Sequence, residues 1–143
     1  MKNFFLDNII LRSDGGLVLI AEKYYTSYSS YTDIYGYYVD QRIFHYDDVI
    51  ISSVSADGDL EWSTVARKRQ SSEIRENLSY LDVVSGVSLY LIYDYTPRRA
   101  PHTIYFNEVD FDGNVSEREI LLKNASGNDS FYPRLSEQIS NDE

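Results

Sequence analysis

An all-β chain of about eight antiparallel strands, arranged as two four-stranded meander units, is predicted by three observations. The first is composition: 14 Tyr, 6 Phe and 1 Trp in 143 residues, a set that suits half-buried pleated surfaces better than helices. The second is punctuation. Gly15-Gly16, Asp57-Gly58 and Asp112-Gly113 each adjoin short apolar runs, and Asp-Gly in that setting signals a two-residue primed hairpin turn with positive φ at both positions. The third is internal similarity, the signature of an architecture assembled from repeated units. Asp14-Gly15-Gly16-Leu17-Val18-Leu19-Ile20 matches Val84-Ser85-Gly86-Val87-Ser88-Leu89-Tyr90 at an offset of 70 residues. Val49-Ile50-Ile51 through Asp57-Gly58-Asp59-Leu60 matches Ile104-Tyr105-Phe106 through Asp112-Gly113-Asn114-Val115 at an offset of 55. The difference of 15 residues locates an insertion in the first copy, between Tyr24 and Tyr46.

Residues 4–11 read as the head strand of the first unit. Residues 17–21 form a continuous apolar run, too short for a helix and typical of a strand buried on both faces. After the turn at 57–58, Leu60, Trp62, Thr64 and Ala66 share one face, while Glu61, Ser63 and Arg67 share the other. Residues 72–77 suit a helical turn, and 78–84 head the second unit. In the last strand the parity of Val115, Ile120, Leu121 and Leu122 is mixed. The units span about 4–70 and 76–124 within a single domain of residues 1–127. Residues 128–143 are polar and read as an extended tail. Eight meandering strands also fit a single up-and-down barrel around a small ligand. Complete four-strand units favour two packed sheets over that alternative.

Thirteen basic residues against 23 acidic ones give a net charge of −10, which argues against nucleic acid or an anionic membrane as partner. Zero cysteines exclude disulfides, thiol catalysis and thiolate metal sites. Met1-Lys2-Asn3-Phe4-Phe5-Leu6 opens like an export signal, but Asp7 and Asn8 interrupt the apolar run well short of the ~7 to 15 residues a signal core needs. No stretch approaches the ~18 apolar residues of a membrane span, so no membrane insertion is expected.

The succession of strand, Gly-Gly turn, strand, loop, strand, Asp-Gly turn and Trp-bearing strand is carried by three segments. They are Gly15-Gly16-Leu17-Val18-Leu19-Ile20-Ala21-Glu22-Lys23-Tyr24-Tyr25, Asp57-Gly58-Asp59-Leu60-Glu61-Trp62 and Leu89-Tyr90-Leu91-Ile92-Tyr93. Together they resemble the four-stranded blades of uncharacterised bacterial β-propeller repeat proteins. The resemblance covers about residues 5–124 as two blades, with Glu117 in the second copy where the first has Trp62. It implies propeller-blade-like packed sheets and an exported bacterial protein. Because a closed propeller takes ~4 to 8 blades, it also implies a fragment or a self-associating subunit.

The insertion is the most unusual segment. Tyr24, Tyr25, Tyr28, Tyr31, Tyr35, Tyr37 and Tyr38 fall in it, separated by Ser, Thr and Asp. Tyrosine offers a large apolar face, little entropy to lose and one hydroxyl, which suits a contact surface for a carbohydrate or a protein. The competing expectation is a hairpin folded back over the sheet, with tyrosines packed as its own small core. Glu108, Asp110 and Asp112, followed by Gly113 and then Glu119, fit a calcium-loop template of alternating oxygens. An acidic hairpin is the plainer reading, because the first copy makes the same turn without those ligands. His45 and His102 each lack a second histidine, so no cofactor or transition metal is expected. No nucleophile elbow, phosphate loop or zinc-protease helix occurs, and nothing marks any two of the 23 acids as a glycosidase pair. The chain therefore reads as non-catalytic. Arg67-Lys68-Arg69 and Arg98-Arg99 read as strand-edge charges that discourage aggregation, with an anion patch as the sharper alternative. Asn77, Asn114, Asn124 and Asn128 begin sequons, which matter only in a eukaryotic secretory setting.

Overall fold

The computed structural model describes residues 3–95, 103–123 and 131–138. The first sheet contains β1 (Asn3–Leu11), β2 (Leu17–Thr32), β3 (Tyr38–Val54) and β4 (Leu60–Ala66) in chain order, with a short β5 (Gln70–Ser72) added against β3. The second contains β6 (Leu81–Ser85), β7 (Ser88–Asp94), β8 (Thr103–Val109) and β9 (Glu119–Lys123), again in chain order. Every pairing is antiparallel. The two meanders are those expected from the sequence, with nine strands rather than eight among the described residues. The alternative barrel is not formed. After β5 the chain makes one 3₁₀ turn at Arg75–Asn77, and β6 then opens a separate sheet. Ser79, in the left-handed region at φ 89, redirects the backbone there.

Four hairpin connections share one geometry: 12–16, 33–37, 55–59 and 110–114. In each, the first residue accepts a backbone hydrogen bond from the fourth at 3.0–3.1 Å and donates one to the fifth at 2.9–3.0 Å. This is a type I turn closed by a left-handed glycine, a three-residue loop. The expected two-residue primed turn at Asp57-Gly58 and Asp112-Gly113 is corrected accordingly: Gly58 (φ 91) and Gly113 (φ 83) are left-handed, and neither aspartate is. The two-residue turn occurs instead at Gly86-Val87, between the paired Ser85 and Ser88.

Alternation along β2 places Val18, Ile20 and Glu22 on one face. Ile20, Val49, Ile51 and Ala66 of the first sheet then meet Tyr80, Leu89, Leu91, Tyr93 and Val109, which belong to or lead into the second. Burying each large aliphatic side chain contributes about 1.5–3 kcal/mol. The core is therefore the seam between two stacked sheets. Residues 17–21 are not buried on both faces as expected, since Leu17, Leu19 and Ala21 point away from the seam and stay partly exposed. Ala66 is buried and Trp62 packs on the core as predicted, but Leu60 on the same predicted face is 64% exposed. A register shift between Ser53 and Val54 takes Leu60 out of that alternation. Trp62 Nε1 donates to the carbonyl of Phe111 at 3.0 Å, and its ring lies so close to Gly113 that a Cβ there would sit 2.6 Å from the indole.

The polar tail is anchored where it is described. Pro133 is buried at the head of a 3₁₀ turn (Pro133–Leu135). The Gln138 side-chain amide exchanges two 2.8 Å hydrogen bonds with the backbone of Val84, on the open edge of β6. The 96–101 link with Arg98-Arg99, His102, and the sequons at Asn124 and Asn128 lie outside the described residues.

Candidate functional site

The Tyr-rich insertion is a two-stranded ribbon rather than a loop, because β2 and β3 stay paired from Tyr24↔Tyr46 out to Thr32↔Tyr38. Alternating Ser, Thr and Tyr suit an extended ribbon exposed on both faces. The tip is pinned by Asp33, whose Oδ1 accepts from the backbone N–H of Tyr35 and of Tyr37, each at 2.9 Å. Gly36 completes the turn at φ 86. β1 covers β2 only as far as Tyr24, and β5 covers β3 only over Phe44–Tyr46. Both edges of the outer ribbon are therefore unpaired among the described strands.

The structure separates the seven candidate tyrosines into a base and a tip. At the base, Tyr24 packs against Tyr46 at 4.8 Å with the rings tilted by 43°, and meets Phe5 edge-on at 5.9 Å. Arg75 lies over the Tyr24 ring and donates to the Tyr46 hydroxyl at 2.6 Å. Tyr25 lies parallel to His45 at 4.4 Å, and that imidazole is hydrogen-bonded to Ser27. These residues are packed. At the tip, Tyr28, Tyr35, Tyr37 and Tyr38 are 70–78% exposed and Tyr31 is 49% exposed. Register places Tyr28 and Tyr38 on one face with Arg42, while Tyr31 lies on the other beside Val39. The tip is a wedge with aromatics on both sides, not one flat platform, and it is not folded back into a core of its own.

Beneath the ribbon's base lies a buried polar cluster that the residue-type search missed. Glu22 and Lys68 are 3% and 4% exposed and form an ion pair. Glu22 Oε2 accepts from the Ser79 hydroxyl at 2.6 Å, and Lys68 Nζ donates to Gln70 Oε1 at 2.7 Å. Gln70 Oε1 also accepts from the Ser79 N–H at 2.9 Å. Burial pushes the Glu22 carboxyl up and the Lys68 ammonium down, each opposed by the partner's charge. The reading of 67–69 as edge charges thus fails for Lys68, which is a core residue. Parity carried the signal: Glu22 follows Val18 and Ile20, and Lys68 follows Trp62, Thr64 and Ala66.

Two clefts open along the seam. An apolar one of about 290 Å³ lies at the turn end, lined by Ile10, Val18, Trp62, Val84, Leu89 and Phe111. Arg12 stands at its rim, 5.5 Å from the Phe111 ring, paired with Asp14 and Glu61. The Ser53 hydroxyl and then Arg12 hold the Glu61 carboxyl below its ordinary value. A polar cleft of about 400 Å³ lies nearer the ribbon, lined by Lys23, Asp47, Arg67, Arg69, Tyr95 and Arg118. Arg118 sits over three tyrosine rings, Tyr93, Tyr95 and Tyr105, at 4.5–5.7 Å.

No family model, curated protein or solved structure matches this chain. Among the described residues, no three His, Asp or Glu side chains gather as a metal site. Of the calcium candidates, Asp110 is spent on its own turn, accepting from the N–H groups of Asp112 and Asn114. Glu108 accepts from Ser88. Asp112 lies in the turn and Glu119 opens β9. No described helix is long and apolar enough to cross a membrane.

Proposed function

We propose that the chain is a non-catalytic binding module, a two-blade scaffold that holds the β2–β3 ribbon out as a wedge for a partner. The observation that carries this is the tip: five tyrosines exposed by about half or more on a hairpin whose base is packed. Tyrosines exposed in numbers mark interaction surfaces, because each loses little conformational entropy on contact and offers both an apolar ring and a hydroxyl. Aromatics on both faces favour a protein groove that takes the wedge over a carbohydrate stacked on a single plane. The unpaired ribbon edges add backbone donors and acceptors for an extended peptide.

The test replaces residues 27–42 with a tight turn and probes both chains against a displayed-peptide library and a glycan array. The expected result is an unchanged far-ultraviolet spectrum and thermal midpoint, with loss of every peptide bound by the intact chain. Ligands held equally well by the shortened chain, or unfolding of that chain, would overturn the reading. Binding confined to glycans would replace the protein partner by a carbohydrate.

A further inference from the structure

The seam shows how one of these sheets covers the other, and the two sheets do not use equivalent faces. In β2 the seam face carries Val18, Ile20 and Glu22. The 70-residue offset maps these onto Ser88, Tyr90 and Ile92 in β7. In β7, however, the residues in the seam are Leu89, Leu91 and Tyr93, whose counterparts are Leu19, Ala21 and Lys23. The 55-residue offset repeats the pattern, since Val49 and Ile51 in the seam map onto Ile104 and Phe106 outside it. The sheets therefore stack in one sense, front to back. Each retains the face that its neighbour uses.

Both remaining faces carry apolar side chains at most positions, with Ser52 and Ser63 among them on the first sheet. On the first sheet, Leu6, Ile9, Leu19, Ala21, Ile50 and Val65 share the outer face by register, with Leu6 59% and Ile9 50% exposed. On the second, Leu81, Val83, Tyr90, Ile92, Ile104 and Phe106 share it, joined by Leu122 through its pairing with Ile104 and interleaved with Asp94, Glu108 and Glu119. A surface of this kind on an isolated chain marks an interaction site.

We propose that a second copy of this chain docks head to tail, the outer face of its first sheet against the outer face of this chain's second sheet. The occupant follows from the seam, where counterparts of these two surfaces already meet within one molecule. The contact is heterologous, so it propagates into a ring if the rotation closes and into an open stack if it does not. Four strands about 4.8 Å apart and seven residues long at about 3.3 Å per residue give a face of roughly 450 Å². That is a small interface, and association at micromolar rather than nanomolar concentration is expected. The inference does not depend on what the ribbon binds.

Light scattering across a concentration series tests it with two variants. Ile9→Lys/Val65→Lys blocks the outer face of the first sheet, and Val83→Lys/Leu122→Lys blocks that of the second. The expected results are a wild-type mass that climbs with concentration, two monomeric variants, and an equimolar mixture that forms a dimer and nothing larger. The mixture retains one good pair of faces. Wild-type protein that stays monomeric throughout overturns the proposal, as does either variant associating by itself as the wild type does. Association lost only on removing residues 27–42 overturns it in favour of the ribbon. If circular dichroism shows a double variant unfolded, the single substitutions Leu11→Lys and Leu122→Lys, at residues 81% and 54% exposed, carry the same test, Leu11 lying on the outer face of the first sheet through its pairing with Leu17.

Discussion

The two ends of the β2–β3 hairpin are built from the same pair of strands and obey opposite rules. At its base, side chains are spoken for: Tyr24 and Tyr46 by each other and by Arg75, Glu22 by Lys68 and Ser79. At its tip, backbone pairing continues to Thr32↔Tyr38, yet the tyrosine rings stand in solvent. The lesson is that ladder hydrogen bonds extend a ribbon well past the point where packing stops. Stability resides at the base, and the tip is free to be spent on contact.

The largest effect that would sharpen this contrast comes from Lys68. Lys68→Ala leaves Glu22 buried without its counter-charge, with an expected loss of about 3–5 kcal/mol in denaturant unfolding at neutral pH. The matched swap Glu22→Gln/Lys68→Met removes both charges and is expected to be neutral or stabilising. A swap as damaging as the single change would mean that the cluster's hydrogen bonds, not its charges, hold the base.

The same pair has a pH signature. Glu22 has its carboxyl raised in the folded state, so its contribution favours folding at low pH and is lost as pH rises through the folded value. Lys68 is lowered, so its contribution is present at high pH and lost as pH falls through its folded value. In Lys68→Met only the first slope remains. Its thermal midpoint is expected to fall as the pH rises above the ordinary carboxylate range, relative to the wild type measured alongside.

Next come two glycines with the same turn geometry. Gly113 meets the Trp62 ring, whereas Gly36 at the tip has open space where a Cβ would go. Gly36→Ala is expected to cost about 1 kcal/mol for its positive φ alone. Gly113→Ala adds a collision with the indole, for a total of about 2–3 kcal/mol. Equal costs would mean that the seam yields at Trp62. Smallest of all, Tyr35→Ser and Tyr37→Ser are expected to stay within about 0.5 kcal/mol of the wild type. A loss beyond that range would break the contrast by showing that the tip is packed.

The meander was legible because Gly15-Gly16, Asp57-Gly58 and Asp112-Gly113 punctuate apolar runs of strand length, and turn chemistry is local. The turn type was not, since Asp-Gly serves both the primed turn and the type I turn closed by a left-handed glycine. Only flanking register separates them. The tyrosines were visible as an excess. Their division into base and tip was not, because it depends on β1 and β5 ending where they do along the ribbon. Lys68 was assigned by residue type to a strand edge, and Glu22 was given no role at all. Their parity with Ile20 and Ala66 pointed inward, and parity prevails when a partner of opposite charge waits across the core, here in the link between β4 and β5.

Trp62 is the chain's single tryptophan, and it stands at the seam with its ring on Gly113 and its N–H on Phe111. The chain thus carries a single optical label, at the joint between the sheets. Emission from that indole will register the parting of the two sheets even where each retains its own ladder. A chain that separates before it unravels would announce itself as a fluorescence transition running ahead of the loss of β signal.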